Sequence, residues 1–202
     1  MTIRLIVGLG NPGRAHHADR HNAGFWLLER LARLRGLSLR QESRFHGLAV
    51  RDDAAGVWLL MPETYMNLSG KAVSALAGFF KIIPEHVLVV HDELDFVPGV
   101  VKLKLGGGSG GHNGLKDISA QLGTQEYWRL RLGIGHPGSR DLVHGYVLGT
   151  PRAEEREAID AAIDRALAVM PQIMTGDLQG AMHQLHTPSA TQAVTPNKTA
   201  TP

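Results

Sequence analysis

The sequence Ile3-Arg4-Leu5-Ile6-Val7-Gly8-Leu9, followed by Gly10-Asn11-Pro12-Gly13, is an apolar run that ends in a turn. The run is β-branched at several positions and a Gly/Pro turn bounds it, so it predicts a buried β-strand. Beyond the turn, apolar residues recur with helical spacing from about Ala23 to Arg35, and Gly36 stops the pattern. The chain therefore opens with a strand, a turn and an amphipathic helix.

The alternation of strands and helices continues along the chain. The further predicted elements are a hairpin at 46–50 and 57–61, strands at 87–90, 100–105 and 128–134, and helices at 69–80, 113–122, 151–170 and 177–185. Pro171 is expected to kink or end the long helix. This pattern predicts an α/β fold, a single-domain three-layer α/β/α arrangement with a mixed, mostly parallel central sheet. We expect one catalytic domain at 1–186 and a disordered C-terminal tail at 187–202, which holds almost no core-forming residues.

Length and composition limit the class of protein. The 202 residues favour one domain, and the net charge of +2 permits a nucleic-acid partner without requiring one. The absence of cysteine excludes disulfides, thiolate catalysis and cysteine-based zinc sites. No apolar stretch approaches the roughly 20 residues that span a bilayer, and the first apolar run is too short for an export signal. We therefore predict a cytoplasmic protein without a membrane partner.

The turn Gly8-Leu9-Gly10-Asn11-Pro12-Gly13 formally matches the G-x-G-x-x-G pattern of dinucleotide-binding sites. Such a site needs a helix directly after the turn and an acidic residue about 20 positions later, where this chain is still helical around Arg33. The pattern is better interpreted as a tight exit from the strand. It would hold the amide side chain of Asn11 at the carboxyl end of a strand, where α/β sheets build their sites.

His21 and Asp92 are the candidate catalytic residues. His21 lies just before the first helix and close in sequence to Asn11, whereas Asp92 follows the buried run 87–90. A carboxylate at the end of a strand can orient a histidine and favour its imidazolium form. An acidic structural turn is the alternative. A metal site at Asp92, Glu93 and Asp95 ranks last, because no metal-binding spacing such as H-E-x-x-H accompanies them, and we predict no metal.

Ser109 lies in Gly107-Gly108-Ser109-Gly110-Gly111, which matches the G-x-S-x-G pattern of esterase nucleophiles. That nucleophile requires one sharp turn directly after a strand, whereas several glycines precede Ser109 here. We interpret the segment as a mobile lid or an anion-facing rim that carries His112, Asn113 and Lys116. A serine esterase completed by Asp141 and His144 remains an alternative.

Lys102, Lys104, Lys116 and Arg131 are the informative basic residues, because two lie on one strand face and the others on the next helix and strand. A groove that follows a nucleic-acid backbone needs repeated cations, so they predict a phosphate-binding surface. A solvated charged face is the common alternative. A non-enzymatic RNA-binding module with the same cations is a further hypothesis.

Several motifs, taken in their order along the chain, resemble those of the bacterial peptidyl-tRNA hydrolase family. The similarity covers roughly residues 3–186. The matching blocks are Val7-Gly8-Leu9-Gly10-Asn11-Pro12-Gly13, Arg20-His21-Asn22-Ala23-Gly24, Tyr65-Met66-Asn67-Leu68-Ser69-Gly70-Lys71, His91-Asp92-Glu93-Leu94-Asp95, Lys104-Leu105-Gly106-Gly107-Gly108, Gly110-Gly111-His112-Asn113-Gly114-Leu115-Lys116 and Arg129-Leu130-Arg131-Leu132-Gly133-Ile134-Gly135. Two positions depart from the pattern, because His16 stands where the family often has tyrosine and Asp19 where threonine is common.

The resemblance implies a function and roles for individual residues. The substrate would be peptidyl-tRNA, bound by a monomer with a mixed sheet and without a cofactor. His21 would be the general base that activates water, and Asp92 would hold it. The implied substrate-binding residues are Asn11, Asn67 and Asn113 for the peptide main chain and Met66 as a wall, and we add His112 from the same rim. Lys102, Lys104 and Arg131 would face tRNA phosphates, and we add Lys116.

Overall fold

The computed structural model describes residues 2–187 and contains one seven-stranded mixed sheet. The strand order is β2-β3-β4-β1-β5-β7-β6. The strands are β1 Leu5–Gly8, β2 Arg40–Glu42, β3 Gly47–Asp52, β4 Val57–Pro62, β5 Val87–Glu93, β6 Val101–Leu105 and β7 Trp128–Gly133. The four central strands are mutually parallel, whereas β2, β3 and β6 pair antiparallel at the two sides.

Helices cover both faces of the sheet, as the sequence predicts. They are α1 Ala23–Leu34, α2 Ser69–Phe79, α3 Asn113–Leu122, α4 Val143–Val147, α5 Ala153–Thr175 and α6 Leu178–His186. One core joins the sheet to α1, α4, α5 and α6, and the other joins it to α2 and α3. Alternate residues of β1 enter opposite cores, with Ile6 in the first and Leu5 and Val7 in the second. The three-layer α/β/α architecture is confirmed.

The register of β1 and β5 decides where the functional side chains meet. Gly8 pairs with Val90 in parallel orientation, so the segments that follow both strands leave the sheet at the same edge. The first turn of α1 packs directly on this edge at Gly24. A Cβ at Gly24 would collide with the backbone of Leu9 and the carbonyl oxygen of Val90. Only glycine therefore lets the turn before α1 approach the end of β5 this closely.

The structure differs from the sequence-based expectations in several elements, including β2 and α4, which the sequence analysis does not predict. Helix α5 continues past Pro171 to Thr175, because the apolar face that includes Ile173 and Met174 stays buried against the sheet. Strand β5 extends to Glu93, beyond the predicted end at Val90. The predicted disordered tail, apart from Thr187, lies outside the described residues. Among residues 2–187, no helix combines the length and apolar character needed to cross a membrane.

Candidate active site

One cavity of about 890 Å³ collects the residues predicted to carry the chemistry. It opens at the edge of the sheet where β1 and β5 end. Its lining includes both predicted catalytic residues and all five predicted substrate-binding residues: His21, Asp92, Asn11, Met66, Asn67, His112 and Asn113. Five separate segments of the chain contribute these side chains, so the fold brings together groups that are far apart in sequence.

His21 and Asp92 form a buried hydrogen-bonded pair in this cavity. His21 lies in a short 3-10 turn, Arg20–Asn22, and its Nδ1 is 2.9 Å from each carboxylate oxygen of Asp92. Because an ionised carboxylate can only accept hydrogen bonds, Nδ1 carries the proton. The other ring nitrogen, Nε2, bonds to no residue within 2–187 and retains its lone pair. The imidazole thus has the orientation and tautomer of a general base.

Electrostatics make His21 more basic than a free imidazole. Burial lowers the pKa of His21, but the charge and hydrogen bond of Asp92 outweigh it, and the pKa is raised above 6.5. Burial alone would raise the pKa of Asp92, yet the charges and hydrogen bonds of His21 and His112 hold it well below its usual range. Asp92 is therefore ionised at neutral pH and stabilises a proton on His21.

His112 links the same carboxylate to the start of helix α3. Its Nε2 lies 2.8 Å from Asp92 Oδ1, and its Nδ1 accepts hydrogen bonds from the backbone N–H groups of Gly114 and Leu115. Since Nδ1 is an acceptor in the helix cap, the proton lies on Nε2, which donates to Asp92. Both ring nitrogens of His112 are thus engaged by the protein itself.

The same three side chains are the possible metal ligands among residues 2–187. One ligand atom each from His21, Asp92 and His112 lies within 4.8 Å of the others. A metal ion at His112 Nε2 would displace its proton to Nδ1, where two backbone N–H groups already donate. This donor set therefore fits proton sharing around Asp92 better than it fits a metal ion.

Asn11 is held so that one polar group remains for a ligand. Its side-chain oxygen accepts from the backbone N–H of Met66 at 2.8 Å. The side chain of Asn22 grips the backbone of Asn11 through two hydrogen bonds of 2.9 Å, one in each direction. The Asn11 amide NH₂ is the donor left over, and Met66, which is buried, forms the adjacent wall.

Asn67 and Asn113 lie at the rim of the cavity and are exposed. Asn67 belongs to the 3-10 turn Met66–Leu68, which precedes α2, and Asn113 is the first residue of α3. Neither side chain hydrogen-bonds to another residue in the described range. Both amides are therefore available to donate to, and accept from, a bound peptide backbone.

The four predicted tRNA-binding cations lie outside this cavity. Lys102 on β6 is directly opposite Arg131 on β7, so both side chains project from one face of the sheet, and each lies over the ring of Phe96. Arg131 also forms an ion pair with Glu93 at 2.9 Å. Lys104 follows on the same face, and Lys116 is exposed on α3. The structure thus brings at least three of the four cations to one face.

Comparison with known proteins identifies the family. The peptidyl-tRNA hydrolase family model matches residues 5–193. The chain is similar, at 49% sequence identity and a TM-score of 0.88, to the crystal structure of peptidyl-tRNA hydrolase from Acinetobacter baumannii at 1.00 Å resolution. That match covers 91% of this chain and 94% of the other. A peptidyl-tRNA hydrolase structure in complex with N-propanol matches with the same values. The chain belongs to the peptidyl-tRNA hydrolase family.

Membership of the peptidyl-tRNA hydrolase family establishes the reaction class. The protein is a hydrolase that acts on an ester bond, with peptidyl-tRNA as its substrate, and the alternative of an RNA-binding module without turnover is wrong. The serine-esterase alternative also lacks its geometry. Ser109 and His144 line the same cavity, but within residues 2–187 no hydrogen bond joins Ser109 to His144 or His144 to Asp141. The hydrogen bonds of a serine triad are therefore not formed among these residues.

Sequence reasoning missed several residues that support the peptidyl-tRNA hydrolase site. Asn22 clamps Asn11, and Arg20 bonds to the carbonyls of Tyr146 and Gly149 in and beside α4. Asn22 and Arg20 are the sequence neighbours of His21, and this position is the sequence signal that could have identified them. Arg129 is buried and donates to the carbonyl oxygen of Gly108, tying down the glycine-rich loop. Only the tertiary contacts reveal that role.

His91 is a second buried histidine in the cavity wall, next to Asp92. Burial, and then the charge of His112, lower the pKa of His91 to about 3. Its Nδ1 lies 2.7 Å from the backbone carbonyl of Asp92, to which it donates. Because it stays neutral at physiological pH, His91 supports the backbone of Asp92 without competing for its negative charge.

Proposed function

We propose that the protein cleaves the ester between a peptide, or an N-blocked aminoacyl group, and the 3′-terminal ribose of tRNA by water that His21 activates. The observation that carries this proposal is the His21–Asp92 hydrogen bond inside the cavity. The reaction would release tRNA from prematurely dissociated peptidyl-tRNA so that the tRNA can be used again.

The proposed chemistry needs one base and no covalent nucleophile. His21 Nε2 takes a proton from water while the hydroxide oxygen bonds to the ester carbonyl carbon. The tetrahedral intermediate collapses, the bond between that carbon and the ribose oxygen breaks, and the His21 proton passes to the departing oxygen. Asp92 stabilises the intervening imidazolium. A positioned base contributes about 10²–10⁴-fold to such a reaction.

The peptide would be bound through its main chain. Asn11 can donate to a carbonyl group through its NH₂, whereas Asn67 and Asn113 can both donate to carbonyl groups and accept from N–H groups, which accounts for acceptance of any peptide sequence. Met66 would form an apolar wall. We propose that His112 completes the wall through its ring edge, because its two nitrogens already hold Asp92 and α3.

The acceptor arm of the tRNA would cross the face that carries Lys102, Lys104 and Arg131, with Lys116 on the adjacent helix. Each cation that neutralises a phosphate releases a condensed counterion, so binding should weaken steeply with salt. We further propose that the protein acts in the cytoplasm, where translation produces its substrate, and that it acts as a monomer. Light scattering of the purified protein with and without tRNA tests the monomeric state.

The experiment is hydrolysis of N-acetyl-aminoacyl-tRNA by wild type, His21→Ala and Ser109→Ala. The matched control is His17→Ala, at an exposed histidine earlier in the same segment as His21. We expect near loss of activity for His21→Ala alone. In water labelled with a heavy oxygen isotope, the labelled oxygen should enter the peptide carboxylate and not the ribose. Full activity of folded His21→Ala would refute the base assignment, and loss in Ser109→Ala would revive the esterase mechanism.

A further inference from the structure

A second histidine–carboxylate pair lies on the wall of the same cavity. His16 lines the cavity, and its Nδ1 is 2.7 Å from Oδ2 of Asp19. The Asp19 side chain is only 7% exposed, against 30% for His16. At positions 16 and 19 the resemblance leads us to expect tyrosine and threonine, and the structure makes the residues present here partners of each other.

The backbone fixes Asp19 beside the catalytic turn. Its N–H donates to the carbonyl of His16 at 3.0 Å, and its own carbonyl accepts from the N–H of Asn22 at 2.9 Å. The second bond closes the turn that contains His21. Among the described residues, His16 provides the one side-chain hydrogen bond to the Asp19 carboxylate. The carboxylate is therefore buried two positions before His21 in the chain, and its described side-chain partner, His16, lines the cavity that His21 also lines.

We propose that Asp19 is a second carboxylate acting on His21, and that His16 holds the Asp19 carboxylate in place through their hydrogen bond. The proposal rests on the proposed role of His21 as general base, for which Asp19 would be a positioning residue. The described groups that act on His21 are Asp92 from β5, His112 from the start of α3, with ring centroids 4.9 Å apart, and Asp19. After burial and Asp92, the charge of Asp19 further raises the pKa of His21.

The effect of Asp19 on the reaction has two sides. Its negative charge stabilises the imidazolium that forms when His21 removes a proton from water. The same charge keeps His21 protonated up to a higher pH in the free enzyme. The acidic limb of the kcat/KM profile therefore lies at higher pH. Removing the charge should therefore shift that limb to lower pH.

The test is the pH profile of kcat/KM on N-acetyl-aminoacyl-tRNA for wild type, Asp19→Asn, His16→Phe, His16→Gln and the double variant Asp19→Asn/His16→Phe. We expect Asp19→Asn to lower the midpoint of the acidic limb. His16→Phe should shift it the same way, because a buried carboxylate without a donor is a poor site for charge. His16→Gln, which retains a donor, should stay near wild type. The exposed His17→Phe and Asp141→Asn variants are the controls.

A readout that does not depend on turnover is the NMR titration of the His21 ring proton, assigned with a His21→Asn variant. It should move in the same direction as the kinetic limb. An unchanged midpoint in Asp19→Asn would overturn the inference while leaving His21 as base. A double variant with a larger shift than Asp19→Asn would show that His16 acts independently, which also overturns it. If the wild-type pH profile of kcat/KM had no acidic limb, or if His21→Ala were active, the proposed function would itself be refuted.

Discussion

The substitution Asp92→Asn tests the central contact of the site. Asp92 is buried and accepts hydrogen bonds from His21 Nδ1 at 2.9 Å and His112 Nε2 at 2.8 Å. Asparagine removes the charge and presents an NH₂ group with almost the same shape. Where that NH₂ faces Nδ1, His21 must become an acceptor there and carry its proton on Nε2, which removes the lone pair that would activate water.

The size of the loss follows from the role of that lone pair. In the wrong tautomer His21 cannot act as a base. The rate should then fall by about 10²–10⁴-fold, equivalent to about 3–5 kcal/mol of transition-state stabilisation. We expect kcat/KM on N-acetyl-aminoacyl-tRNA to fall by this factor. The remaining activity should show an acidic limb at lower pH, because the main group that raises the pKa of His21 is gone.

Asp95→Asn provides the matched control. Asp95 also lines the cavity, three residues further along the same segment, but its carboxylate contacts neither histidine. Circular dichroism and thermal unfolding establish that both variants fold. If folded Asp92→Asn retained activity within about fivefold of Asp95→Asn, the reasoning about tautomer and charge would be refuted.

Three further predictions follow from the fold and its charges. Lys104→Met should flatten the slope of log K against log salt for tRNA binding by about one, measured by fluorescence anisotropy, and an unchanged slope would remove Lys104 from the phosphate surface. Gly24→Ala should lower unfolding free energy by about 1–3 kcal/mol or more in urea titrations, because its Cβ meets the carbonyl of Val90. The free energy of unfolding that the His21–Asp92 pair contributes in the wild type should decrease towards high pH and towards low pH. The raised pKa of His21 contributes stability that is full below 6.5 and lost as pH rises through the folded value. The lowered pKa of Asp92 contributes stability that is full above 3.8 and lost as pH falls. Urea titrations across pH should show both losses diminished in Asp92→Asn.

Some features of the site could be predicted because they depend on local chemistry. The run before Gly10 fixes a strand, the Gly/Pro turn ends it, and Asn11 must then lie at the strand's carboxyl end. The same argument places Asp92 at the end of β5. Alternation of Lys102 and Lys104 with apolar residues predicts their common face, which the structure confirms through their pairing with β7.

Other features depend on contacts between distant segments and carry little local signal. Nothing in the sequence around His112 indicates that its Nδ1 caps α3 while its Nε2 holds Asp92. The pairing of His16 with Asp19 was equally hidden, although both positions stood out. Pro171 shows the converse, because its local preference predicts an interruption and burial of the surrounding apolar face sustains the helix.

The local sequence predicts the alternation of strands and helices, the α/β class and the polar side chains that follow the apolar runs of β1 and β5. Periodicity and turn chemistry act between near neighbours in the chain, so they can be read directly. Only the tertiary structure decided that β1 lies between β4 and β5 with Gly8 beside Val90. That register depends on burying both faces of the sheet at once, a free energy summed over the whole core, and it is what brings His21 to Asp92.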